Sequence, residues 1–86
     1  PARLGPNDIH LTAYTPDGLP LEVQNMNAQF VQPGIGAIDV PLRQLTPGHY
    51  YAPNFVIPRK GTWDLVVRTN VDAFTQVVQE QSVKIR

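Results

Sequence analysis

The chain has no cysteine, which removes both a disulfide framework and a thiolate metal site. It also lacks a charge of dominant sign. Seven basic residues balance seven acidic ones without a run of either, which disfavours nucleic acid or an anionic membrane as the main partner. No stretch approaches the ~20 apolar residues that span a bilayer. The start, "PARLGPND", has no signal-peptide pattern and no initiator Met, and reads as the opening of a domain excised from something larger. Helical periodicity is missing throughout. Nucleophilic chemistry is poorly served as well: Ser82 is the sole serine and stands outside any Gly-x-Ser-x-Gly elbow.

What the chain does have is nine prolines and six glycines, spread so that only short segments lie between them. Those segments are rich in Val, Ile, Thr and aromatics, the composition of strands. In "DIHLTAY" (8–14), Ile9, Leu11 and Ala13 share one face, while His10, Thr12 and Tyr14 share the other. "TPDGLP" (15–20) is a turn, expected to make a hairpin or tight connection: Pro16 presets φ, Asp17 can bond its own backbone, and Gly18 accepts positive φ. "LEVQNMNAQFVQ" (21–32) changes parity between Leu21/Val23 and Met26/Ala28/Phe30, which predicts a bulge near Gln24 and Asn25.

"PGIG" (33–36) does not precede a helix and so makes no phosphate loop; it is expected to let two strands change sheets. "AIDVPLRQL" (37–45) then turns Ile38, Val40 and Leu42 inward, and Pro41 marks it as an edge strand. In "GHYYAPNFVIP" (48–58), Tyr50 and Ala52 face one way, His49 and Tyr51 the other. "TWDLVVRTN" (62–70) points Trp63, Leu65 and Val67 to the core and Asp64, Val66 and Arg68 outward. The last run, 73–86, offers Phe74, Val77, Val83 and Ile85 as core residues, with "QEQ" bulged or exposed. The whole is expected to be a single all-β domain over residues 1–86, an immunoglobulin-like β-sandwich of six or seven strands; a small open barrel is the alternative.

Order and spacing carry a resemblance. "GHYYA" followed by "GTWDLVVR" resembles the G-x-Y-x-A and G-x-W-x-L-x-V strands of YtkA-like sandwich domains. "GPNDIHLTAYTPDGLPLEV" and "PGIGAIDVPL" are similar to the opening strand, D-G-x-P turn and Gly-rich segment of the domain that follows the membrane helices in the copper resistance protein D family. The similarity runs from about Leu4 to Arg86. It implies an extracytoplasmic C-terminal domain, tethered by the transmembrane part of a multi-pass protein for copper uptake or resistance. Partners would be that transmembrane part and a copper-binding protein. The N-terminal His and the His/Asp ligands of the family's separate copper-binding domain have no counterpart here.

Copper selects imidazole and thioether ligands. The chain offers His10, His49 and Met26. Both histidines fall on outward parities. If their strands pair, they can take Cu(II), with an acid such as Asp8; the plainer reading is two unrelated surface histidines. Met26 shares parity with Ala28 and Phe30, as a core gap-filler does. Gly48-x-Tyr50 has the spacing of a tyrosine corner. Asp39 and Asp64 lie on outward faces with no sign of a pocket, so paired-carboxylate chemistry is not expected. No catalytic residue is assigned. The function expected is a non-catalytic domain supporting metal handling or partner binding. The alternatives are a structural or adhesive module of an extracellular multidomain protein and, on Tyr14 and Tyr51 alone, a carbohydrate-binding accessory domain.

Overall fold

A computed structural model describes residues 4–86. Seven strands alternate between two antiparallel sheets: β1 (Gly5–Thr12), β2 (Asn25–Gln32), β3 (Gly36–Val40), β4 (Arg43–Thr46), β5 (His49–Ile57), β6 (Gly61–Asn70) and β7 (Gln76–Ile85). One sheet has the order β1-β5-β4 and the other β3-β2-β6-β7. The chain crosses between sheets after β1, β3 and β5, and makes hairpins at β2–β3, β4–β5 and β6–β7. That is the connectivity of an immunoglobulin-like sandwich from its strand B through C, C′, D, E, F and G, as two packed sheets rather than a closed barrel.

The turns follow from local chemistry. Pro33-Gly34 and Pro47-Gly48 each put proline first and a glycine of positive φ second, at +80° and +74°, as a type II turn requires. Each closes a hairpin, joining Gln32 to Gly36 and Thr46 to His49. "PGIG" therefore does not change sheets. The change comes at Pro41-Leu42, where the missing N–H of Pro41 ends the ladder of β3. The expected strand 37–45 is two short edge strands, one in each sheet. In the 15–20 turn, Gly18 N–H donates to the Thr15 carbonyl at 2.9 Å, and Leu19 N–H to the Thr15 hydroxyl at 3.1 Å.

The core lies between the sheets. Trp63 is 2% exposed, and its indole N–H donates to the Arg59 carbonyl at 3.0 Å, which satisfies its one polar atom. Phe30 meets Trp63 edge-on at 6.4 Å between centroids and stacks on Phe55 at 5.5 Å. Val23, Met26, Ala28, Val40, Tyr50, Ala52, Ile57, Val67 and Ile85 pack around these rings in the buried cluster. The parity change before Met26 is a bend at Gln24, not a bulge, and Val23 still reaches the core.

Val66 points outward as expected, yet is buried there between Gln29 and Glu80 in the ladder. Three expectations fail. Phe74 is 98% exposed in the β6–β7 turn, and Val77 is exposed on β7. Four strands face only three, so the inner face of β7 near Val77, Gln79 and Gln81 borders an open cleft instead of a sheet. Gln79, Glu80 and Gln81 are exposed as expected, but in unbroken register with β6 and without a bulge. Tyr50 makes no tyrosine corner. It lies in β5, the equivalent of strand E, whereas the corner belongs to the start of strand F. Its ring is a core residue.

The corner is locked by Gly48 instead. Its carbonyl accepts from Ala13 N–H at 2.8 Å, and Leu21 N–H donates to the Ala13 carbonyl at 2.9 Å. A Cβ on Gly48 would collide with the Leu21 carbonyl oxygen, whereas one on Gly34 would meet nothing. Chemical denaturation should therefore show Gly34→Ala costing about 1 kcal/mol through φ alone and Gly48→Ala clearly more; equal costs would refute the close approach. Trp63→Ala is expected to cost about 3–5 kcal/mol, and a near-neutral result would contradict its burial. In the β6–β7 turn, the Phe74 N–H donates to Asp72 Oδ1 at 2.8 Å. That bond, followed by one with the Thr75 side chain, holds the Asp72 carboxyl below its usual range. A lowered folded value stabilises above the unfolded pKa and is lost as pH falls through the folded one. The stability difference between wild type and Asp72→Ala should therefore shrink on acidification through that window.

Candidate metal centre

The two histidines meet. β1 pairs with β5 so that His10 stands opposite Tyr51 and Thr12 opposite His49. His10 and His49 are thus diagonal neighbours across one ladder, within reach of each other on the outer face of the three-stranded sheet. His10 Nδ1 lies 3.2 Å from His49 Nε2 across 39 residues of chain, and the ring centroids are 5.5 Å apart. A hydrogen bond between two imidazoles needs one nitrogen to donate and the other to accept, so at least one ring is neutral. Tyr51 supports the pair from beneath. Its ring stacks on His10 with centroids 4.5 Å apart and planes 29° from parallel.

Parity alone could put both histidines outward. What it could not show is the ladder itself, nor the bulge that sets its register. β5 carries one extra residue opposite β1, between Ala52 and Phe55. Asp8 Oδ1 accepts the Asn54 N–H there at 3.0 Å, and Asn54 takes φ of +53°, a conformation asparagine tolerates. The available signal was the parity of the core residues themselves: Tyr50 and Ala52 are even, Phe55 and Ile57 odd.

That bulge also settles the role of Asp8. The acid proposed to join the histidines is engaged in holding the backbone of β5. Among the described residues, no three His, Cys, Asp or Glu side chains group as a metal site. Met26 is not brought to the histidines either. It is 7% exposed on the inner face of the other sheet, among the core side chains, where no ion held by the outer-face pair can reach it. An ion held here would meet two imidazoles from the described residues. Nitrogens 3.2 Å apart are about what two metal bonds of ~2.0–2.1 Å span at a bond angle near 100°. A small rotation of the rings would turn both lone pairs from each other toward one ion, with its remaining positions left to water or a partner's ligand.

Comparison of the chain with protein-family models, with curated proteins and with solved structures finds no match in any of the three.

Replacing Tyr51 by Ala should loosen the pair while leaving the fold intact, at a cost of about 0.2–1 kcal/mol for a lost cross-strand contact. The nuclear Overhauser effect between the His10 and His49 rings is the measure; an undiminished signal would remove Tyr51 as the positioning residue.

Proposed function

We propose that this chain is a non-catalytic, extracytoplasmic sandwich domain of a copper transport or resistance membrane protein, and that it handles copper through His10 and His49. The observation that carries the reading is their contact, made by residues distant in sequence on a solvent-facing sheet. Imidazole suits copper, and a two-ligand site on an exposed face suits transient holding better than storage, because coordination positions stay open for a partner. The resemblance to the copper resistance protein D family supplies the setting: the transmembrane part of the parent protein on one side, a copper-binding protein on the other. Mechanistically, the domain's own residues do little chemistry. Tyr51 fixes the plane of His10, the β1–β5 ladder fixes the distance to His49, and both rings must be unprotonated at the ligating nitrogen for the ion to bind.

Cu(II) titration followed by NMR tests this directly. At substoichiometric copper, signals of His10 and His49 should broaden before all others. The double variant His10→Ala, His49→Ala should bind at least tenfold more weakly. Equal affinity in the double variant would sink the copper reading.

The second reading, a structural or adhesive module, is favoured by the long exposed edge of β7. The parent sequence separates the two: apolar spans adjoining this domain support the transport setting, and a string of similar sandwiches supports adhesion. The carbohydrate reading has less behind it. Tyr51 lies under His10 on the outer face, whereas Tyr14 lines the cleft at the open side of the sandwich beside Leu11 and Met26, so the two rings make no common platform.

A further inference from the structure

Each sheet of an open sandwich exposes two edges, and an unprotected edge is a template for another strand. Three of the four edges here carry protection. β1 contains Pro6, and its pairing with β5 is interrupted by the bulge. β3 has five residues, opens on Gly36 and stops at Pro41. β4 has four residues between Pro41 and Pro47. β7 carries none of these devices. It runs ten residues, Gln76–Ile85, without proline or glycine, and its register with β6 is unbroken from Gly61↔Ile85 to Asn70↔Gln76. Within it, Val77 and Val78 are exposed, at 43% and 49%.

Its sequence states what it can pair with. Two antiparallel copies of one strand meet about a two-fold axis, and side chains stay on their proper faces only when the axis passes through a residue. An axis through Glu80 sets Glu80 against Glu80, and one through Lys84 sets Lys84 against Lys84; both are repelled. An axis through Ser82 sets Glu80 against Lys84 twice, once on each side, and places Gln81 against Val83 on the inner face. The chain's net charge of zero offers no general repulsion between copies.

We propose that β7 is a self-recognition edge: two copies of this chain pair antiparallel through β7, centred on Ser82, and join their four-stranded sheets into one of eight. β7 belongs to the other sheet from the histidine pair, so dimerisation and copper binding are separable.

Sedimentation equilibrium up to millimolar protein should show a monomer–dimer equilibrium. Glu80→Lys places like charges opposite each other and should weaken association at least tenfold. Glu80→Lys combined with Lys84→Glu should restore it. Glu80 and Lys84 are both exposed, so these variants are expected to keep the fold, which an amide NMR spectrum verifies. The absence of cysteine makes a crosslinking arm clean. Under mild oxidation Ser82→Cys should form a disulfide-linked dimer, because residues on the axis sit about 4.5–5.5 Å apart at Cα, within disulfide reach. Gln81→Cys should crosslink far less. A chain that stays monomeric at millimolar concentration overturns the proposal. So does indifference of the dimer to Glu80→Lys, or preferential crosslinking through Gln81→Cys.

Discussion

The geometry of the outer-face site depends on one antiparallel ladder, between β1 and β5. A slip of one residue there would flip one strand against the other, turning either His10 inward and Leu11 outward or His49 inward and Tyr50 outward, and the pair would part. Two backbone devices forbid it. At one end, the β5 bulge absorbs an extra residue, so that the even-numbered core positions Tyr50 and Ala52 and the odd-numbered Phe55 and Ile57 all face inward. At the other, the Gly48 carbonyl and Ala13 N–H close the ladder where β1 leaves the sheet. The histidine contact is a by-product of that register. Once Ile9 and Leu11 face inward, His10 faces outward, opposite Tyr51 and diagonal to His49.

The core answers the lack of disulfides with aromatics. Immunoglobulin domains of antibodies set a tryptophan from strand C against a disulfide between strands B and F. Here the tryptophan stands on β6, the F position, and Phe30 on β2, the C position, meets it edge-on. Phe55 from the opposite sheet stacks on Phe30, so three rings tie both sheets together. The mismatch of four strands against three concentrates this packing on one side and leaves the β1–β7 side open. Polar Gln79 and Gln81 occupy inward positions on β7 because no strand lies across from them.

Much of this was legible in the sequence, and the reasons for the remainder are physical. Alternation gave the faces of β1, β5 and β6, because a strand covered on one side must alternate. Pro and Gly located the chain breaks at 15–20 and 33–36, because each constrains its own dihedrals locally. Sheet membership was not legible. "PGIG" and Pro41-Leu42 both interrupt strands, and only long-range pairing distinguishes a hairpin from a crossover. Phe74 misled because hydrophobicity is a one-way guide: apolar side chains on a turn stay exposed when no element covers them. The histidine pair lay between these cases. Its outward parity was readable, but its 3.2 Å contact required the β1–β5 ladder.

Among the described strands, β1 is also an outermost one, tied to its sheet by β5. Strands in that position are the first to detach in local opening events, well before the molecule unfolds. Since His10 rides on β1 and His49 on β5, detachment of the strand and separation of the imidazoles are the same motion. Any ion gripped by both rings is then a rivet through a seam. Its occupancy would set how readily the edge of the sheet peels, and a protease or an exchanging amide proton on β1 would sense the ion without touching it.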